Sequence, residues 1–440
     1  MIQFRKSQIY PPPFLAEKIK NSQQKMPLRI SYSQPEKLYS NMKKELIIPS
    51  LGIVAAVFFS ACSKNEVVSI ADAPQKISLS PLTGKLSTRA LLDGATYNAD
   101  FPSFGTFAYY LPEGKNWDAY YNDATLYIPK SEVKYQEDAD NKNHNWTTAT
   151  PYYWPKTGGL TFFAYSPYYY QESTGVELPV FELKDGLYIG NPAGTIEELY
   201  DVDAHQETDI LVAEIQKGCS GNTTNGRYSG VPIIFHHKLS QIIGMDFSTD
   251  KDYANGHDGT SGNEYSAGDK VFRLLKVELK NLSVKGFYGY HTGDEQADAW
   301  SASSDNKAMK SYTWYSAATE DTADKFGNTA LNLTFNNKNA ENKHSYLLIM
   351  PQFLDKTNNK PSTEPYLDIQ YQVLTYTDGT NHSTETVDKK VTLHELHAAD
   401  RIEMNKKIRY TFRISLEDQR IYWAPSIVKW DDVDDREMQF

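Results

Sequence analysis

The sequence predicts an all-β, exported protein, and three observations carry that reading. Apolar and polar residues alternate with a period of two along much of the chain, while helical periodicity is scarce. Tyrosine is in surplus, with 31 Tyr against 19 Phe and 7 Trp. Such rings favour strands, where they pack on cross-strand neighbours. An apolar run near the N-terminus stops at a cysteine, as an export signal would.

That run covers residues 46–61 and is interrupted only by Pro49, Ser50, Gly52 and Ser60. About 20 apolar residues span a bilayer comfortably, so it is short for a permanent helix. Met42-Lys43-Lys44 precedes it and small residues close it, which makes residues 42–61 a secretory signal peptide. Phe59-Ser60-Ala61-Cys62 resembles the lipobox of bacterial lipoproteins, with Phe59 in place of the usual Leu. Cys62 would then be the lipidated first residue, anchored in the outer membrane by several acyl chains, since a single chain holds only marginally. Residues 1–41, which include Pro11-Pro12-Pro13, are no part of such a leader and read as a non-native extension, with translation starting at Met42.

About 380 residues follow Cys62, enough for two domains of ordinary size. A formal charge of −11 without a Lys/Arg cluster argues against nucleic acid as a partner. Cys62 and Cys219 are the two cysteines. With lipid on the first, the second has no partner within the chain, and stability falls to burial and strand pairing.

The strands follow in order. Residues 62–89 form a propeptide or first strand, in which Lys76-Ile77-Ser78-Leu79-Ser80 alternates with Ile77 and Leu79 on one side. Residues 106–111 and 126–128 are strands, and 154–165 reads as strand end, glycine turn and strand. Residues 231–247 place Val231, Ile233, Phe235, Leu239, Ile243, Met245 and Phe247 on one side, as one long strand or two short ones. Further strands are 271–279, 346–350 and 367–373. Asp378-Gly379 then signals a two-residue hairpin before a strand at 387–393. In 407–416 the even positions are apolar and the odd ones polar, so one face is buried. Loops rich in Gly, Ser, Asn and Asp fill 217–230, 249–268 and 291–308. The first marks a domain boundary near residue 230, and the strand spacing is that of sandwiches.

Several segments carry a further likeness. Trp154-Pro155 with Leu160-Thr161-Phe162-Phe163-Ala164-Tyr165-Ser166-Pro167, then Asp209-Ile210-Leu211-Val212-Ala213, then the strand from Val231 through Ser240 occur in that order. Leu348-Ile349-Met350-Pro351-Gln352 and Ile427-Val428-Lys429-Trp430 follow, and Thr88-Arg89-Ala90 precedes them. This series resembles the fimbrillin (Mfa-like) family of Bacteroidales, over roughly residues 88–430. The resemblance implies two transthyretin-like antiparallel β-sandwiches in tandem, at 90–230 and 231–440. It also implies export as a lipoprotein and assembly with other fimbrial subunits. A trypsin-like protease would cut between Arg89 and Ala90, releasing the strand that bears Ile77 and Leu79. A strand from a neighbour would then fill the vacated edge, and Ile427, Val428 and Trp430 are the candidate donor residues. Only ten residues follow Trp430, a short extension for a repeating stalk subunit.

Chemistry is sparse. His394-Glu395-Leu396-His397 lacks metalloprotease spacing and, read as a strand or exposed turn, sends its histidines to opposite faces. His236 and His237 diverge likewise, with His237 a hydrogen-bonded histidine on the apolar side. Asp250-Lys251-Asp252-Tyr253-Ala254-Asn255-Gly256 places its glycine one position late for a calcium loop. Cys219 reads as a free thiol. No catalytic or metal site and no cofactor are expected. The predicted function is that of a fimbrial subunit or fimbria-associated surface lipoprotein acting in adhesion, with a host or bacterial glycan or protein as receptor. The alternative is a glycan-binding surface lipoprotein using Trp117, Trp146, Trp300 and Trp314 in loops as sugar platforms.

Overall fold

Alternation of side chains sets which face of a strand is buried; the structure adds which strands meet. The computed structural model describes residues 74–83, 103–137, 144–171, 176–183, 186–206, 208–225, 228–291, 299–335, 345–354, 364–397, 400–417 and 420–430. The chain begins with β1 (Leu79–Thr83), β2 (Ser103–Leu111), β3 (Thr125–Glu137), β4 (His144–Thr148) and β5 (Gly159–Ser166). Three short strands follow, β6 (Val180–Leu183), β7 (Gly186–Ile189) and β8 (Tyr200–Asp201), then β9 (Leu211–Ala213) and β10 (Tyr228–His237). Next come β11 (Ser240–Thr249), β12 (Lys270–Ser283), β13 (Lys285–His291), β14 (Ala299–Ala302) and β15 (Met309–Ser316). The last principal strands are β16 (Tyr366–Tyr376), β17 (His382–Thr392), β18 (Lys406–Ser415) and β19 (Arg420–Lys429). The all-β expectation holds.

The first sheet runs β1-β4-β3-β2-β5-β9-β10, and β10 also pairs with β1, so the sheet closes on itself. Its interior holds Ile77, Leu79, Phe104, Val133, Trp146, Phe162, Val231, Ile233 and Phe235. Phe104 packs at 5.6 Å from Trp146 and edge-on to Phe235 at 5.4 Å. The outer faces of β2 and β5 carry Phe107, Tyr109 and Phe163 into a second, larger core that continues through residues 180–414.

In the second half of the chain, β11 lies parallel to β18, and β19 covers the far side of β18. The facing sheet has the order β15-β12-β16-β17. Phe247 from one sheet stacks on Phe412 at 5.0 Å and meets Phe326, which touches Phe272 of the other. The alternation in 407–416 is realised in its centre, with Ile408, Tyr410, Phe412 and Ile414 buried, while at the ends Lys407 and Ser415 are buried too and Leu416 is half-buried.

One local alternative is resolved and three expectations are corrected. Residues 231–247 form two strands, and Val231, Ile233 and Phe235 serve the closed sheet while Leu239, Ile242, Met245 and Phe247 serve the larger core. Ile242, not Ile243, is fully buried because the pairing of β11 with β18 slips between Ile242 and Gly244, and a bulge reverses the side-chain phase. The β16–β17 hairpin has a longer connection than two residues, since Tyr376 pairs with His382. Asp378 shapes that loop by accepting from the Thr380 and Asn381 N–H groups at 3.0 and 2.8 Å. Those bonds, led by the Asn381 side chain, hold its carboxyl down at about 2. Finally, the expected loops 217–230 and 291–308 contain strands. Residues 216–219 and 223–225 attach to β5 and β10, and β14 sits on β13.

Strand β13 comes from the second half of the chain but pairs with β7 and β8 of the first. Trp300 of β14 donates its Nε1–H to the Lys238 carbonyl at 2.6 Å and packs between Tyr200 and Tyr288. Residues 69–440 accordingly form one compact unit.

Candidate strand-exchange site

β1 differs from every other strand of its sheet. It runs parallel to β10, with Leu79 beside Val231 and Thr83 beside Phe235, whereas all other pairings in that sheet are antiparallel. On its other side it meets β4 at one register position, Leu79 opposite Trp146. It is therefore the closing strand, held strongly on one side and lightly on the other. Ile77 and Leu79 both point into the aromatic interior and are buried. Full burial of such a side chain stabilises by roughly 1.5–3 kcal/mol.

Pro81 is tolerated for a geometric reason. The Ser78 carbonyl accepts from the Val231 N–H at 2.9 Å, so residue 78 and its alternates face β10. Residue 81 faces the sparsely paired side, where a missing N–H breaks no ladder.

The segment ahead of β1 is pinned by Tyr152 and Trp154 and by Asn222 and Gly230 from the stretch 217–230, which the sequence presents as a loop. Ile77 N–H donates to the Tyr152 carbonyl at 2.8 Å, and Trp154 N–H to the Gln75 carbonyl at 2.9 Å. Asn222 Oδ1 accepts from Ser78 N–H at 3.2 Å and from Trp154 Nε1–H at 3.0 Å, while its Nδ2 donates to the Lys76 carbonyl at 2.9 Å. Gly230 allows the close approach, because a Cβ there would lie 2.8 Å from the Ser78 carbonyl oxygen. Neither residue has a signal in an isolated sequence beyond being Asn or Gly in a polar stretch. Asn222→Ala is expected to loosen this seat by about 1–3 kcal/mol. Faster amide exchange across residues 76–81 would report it; unaltered exchange there would show that the Asn222 amide holds nothing.

The C-terminal strand has the opposite character. β19 pairs only with β18, at the margin of its sheet. Tyr422, Trp423, Ile427 and Val428 are 46%, 38%, 41% and 40% exposed. The other long margin strand, β17, is also largely exposed but presents Glu385, Asp388, Lys389 and Lys390, the charged dressing that discourages edge pairing. β19 carries charge only at its two ends, Arg420 and Lys429, with Pro425 and exposed apolar residues between them. Trp430, just past its end, is buried at 9% and stacks on His237. Of the sequence-predicted site residues, Ile77 and Leu79 thus share the closing strand, and Ile427, Val428 and Trp430 share the C-terminal one. Cys62, Arg89 and Ala90 lie outside the described residues, as do the extension at 1–41 and the signal peptide at 42–61.

The four tryptophans of the alternative reading are not platforms. Trp117, Trp146, Trp300 and Trp314 are all buried, on a helical turn or on strands, where the aromatic surplus packs the cores. His394 belongs to a short helix, α2 after the turn α1 (Trp117–Tyr120), that spans Leu393–Leu396, and His397 is its C-cap. A reciprocal Thr392–Glu395 capping box nucleates it. His397 is buried, not exposed, with Nε2 2.7 Å from the Tyr410 hydroxyl. His236 and His237 each face a carboxylate, Glu214 and Asp209 respectively. In the 250–269 loop the carboxylates brace backbone: Asp252 accepts from Ala254 and Gly256 N–H groups, and buried Asp269 gathers Asn255, His257 and Ser266. Burial would raise the Asp269 carboxyl, but those donors outweigh it and hold it low. Burial pushes the Cys219 thiol up, away from the thiolate that a nucleophile requires. Among the described residues no group of three or more His, Cys, Asp or Glu converges as a metal site, and no helix is long and apolar enough to cross a membrane.

A closed all-β sheet with one parallel closing strand, joined to a second pair of facing sheets, can be compared with known proteins. The profile described as fimbrillin-like matches residues 88–430. The chain belongs to the fimbrillin-like family. This fimbrillin-like chain shares its fold with a fimbrial protein from Bacteroides vulgatus, at 17% identity and a TM-score of 0.50, covering 81% of this chain and 99% of that one. The C-terminally truncated tip fimbrial protein Mfa3 from Porphyromonas gingivalis is also similar, at 11% identity and a TM-score of 0.31, over 81% of this chain and all of that one (100%). No curated protein matches the fimbrillin-like chain.

Proposed function

We propose that this protein is a fimbrial subunit, or a surface lipoprotein associated with a fimbria, that assembles by strand exchange and acts in adhesion. The observation that supports it most is the closing role of β1. That strand lies just upstream of Arg89, closes the first sheet, and contributes Ile77 and Leu79 to its interior. Cleavage between Arg89 and Ala90 by a trypsin-like protease would detach it from the rest of the chain. Its departure would expose the apolar interior and the free edge of β10, a surface that recruits another strand. β19, with exposed Ile427 and Val428, is the segment offered to a neighbouring subunit. Lipid on Cys62 would hold the uncut chain at the outer membrane, and the cut chain would be held by its neighbours. Two tandem transthyretin-like sandwiches remain our domain proposal, with the boundary moved past β10, which belongs to the first sheet, and the β13–β14 excursion bracing the first against the second.

The work is non-covalent, with no turnover chemistry. The test uses the purified precursor and a trypsin-like protease. Mass spectrometry is expected to find a new N-terminus at Ala90. Size analysis is expected to show cut chains associating, and a synthetic peptide of residues 74–84 should block that association. Arg89 left intact by the protease, or cut chains that stay monomeric, would defeat the proposal.

A further inference from the structure

Trp430 is the buried end of a strand that is paired along one edge only and is otherwise largely exposed. Its indole lies flat on the His237 imidazole, with centroids 4.0 Å apart and planes within 8°. Its backbone N–H donates to the Asn405 carbonyl at 3.0 Å, and Lys407 Nζ stands 5.6 Å from the ring. Asp209 faces His237 Nδ1 and fixes the imidazole plane. A cavity of about 370 Å³ lined by Glu214, His236, His237, Tyr290, Met404 and Asn405 opens beside the stack. The indole is therefore held by the His237 stack and the edge of the larger core, and the backbone by one hydrogen bond, with room beside it.

His237 sits on β10, two residues beyond Phe235, where the pairing with β1 ends. One strand therefore carries both seats: residues 231–235 hold β1, and residue 237 holds Trp430. Removing β1 takes the partner from residues 231–233 of β10, while residues 234–238 keep their backbone bonds to residues 210–214. His237 keeps Asp209 and Leu211, so any coupling runs along β10 itself: freeing residues 231–233 lets the strand shift, and a stacking contact is lost with small displacements.

We propose that Trp430 is a latch that keeps β19 on its own sheet while β1 is in place, and that loss of β1 from β10 releases it to a second copy of this chain. The inference rests on β19 being the donated strand. The latch itself is measurable without assembly, by amide exchange of the full precursor over residues 421–429. Trp430→Ala and His237→Ala should each accelerate exchange there, roughly tenfold for a buried aromatic stack. Trp430→Phe should stay near the wild type, and the double variant should exchange no faster than the singles, because both remove one contact. Exchange across β16 should not move. Unchanged β16 exchange in Trp430→Ala reports an intact fold, so that variant decides the matter if His237→Ala disturbs β10. Wild-type rates in Trp430→Ala, or additive effects in the double variant, would overturn the latch. Protease-cut wild type should show the same acceleration; a cut chain with β19 still protected would overturn the coupling through β10. Cut latch variants whose β19 exchanges fast but which never associate would instead refute strand donation and leave the latch standing.

Discussion

Replacing Gly230 with valine unseats β1 without altering any residue of β1 itself. An added Cβ would sit 2.8 Å from the Ser78 carbonyl oxygen and 2.9 Å from the Leu79 carbonyl carbon. Those are backbone atoms, which cannot swing aside as a side chain would. Crowding of this kind costs typically 1–3 kcal/mol. Gly230→Ala should fall in that range, and valine should exceed it by adding two methyl groups to the same gap. Once β1 is displaced, burial of Ile77 and Leu79 is lost as well. We expect rapid amide exchange across residues 76–83 and binding of an apolar dye to the opened interior, while β16 and β17 stay protected. Should Gly230→Val keep residues 76–83 as protected as in the wild type, the close pairing of β1 with β10 is not what seats it.

Acid should weaken the fold through His397. Burial holds this imidazole down at about 4 against an ordinary 6.5, with Glu403 pulling the other way. The folded-state value lies below the unfolded one, so between these limits the unfolded chain binds more protons. The stabilisation is complete above pH 6.5 and is lost as pH falls towards 4. A difference of that size corresponds to about 3 kcal/mol. Burial lowers His205 too, so the contribution is best isolated by difference. His397→Gln can still bond the Tyr410 hydroxyl but cannot titrate. Denaturant unfolding at pH 7 and pH 4 should show a loss about 3 kcal/mol smaller in the variant than in the wild type. Equal losses would mean that His397 does not carry the acid sensitivity.

These two effects arise from very different degrees of legibility. The strand containing Ile77 and Leu79 was visible from its alternation, yet nothing in it reveals that it runs parallel to residues 231–235. Gly230 looked like linker, because a glycine required by a neighbouring backbone is indistinguishable from one required by a turn. His397 looked like part of an exposed strand or turn, because its burial depends on Tyr410 from a strand further along the chain. Trp117, Trp146, Trp300 and Trp314 looked loop-borne since polar neighbours surround them in sequence, while their ring contacts come from elsewhere.

What the sequence by itself determined is the all-β class, the burial of alternate residues in strands such as 408–414, and family membership through an ordered series of motifs. These depend on local periodicity and on the order of segments, both readable along one dimension. Tertiary structure alone decided that β1 closes the first sheet, that β13 crosses to β7 and β8, and that Trp430 rests on His237. Each of these joins residues far apart in the chain. A period of two assigns a face to every strand and leaves its partner open, so pairing is settled only when whole sheets compete for burial.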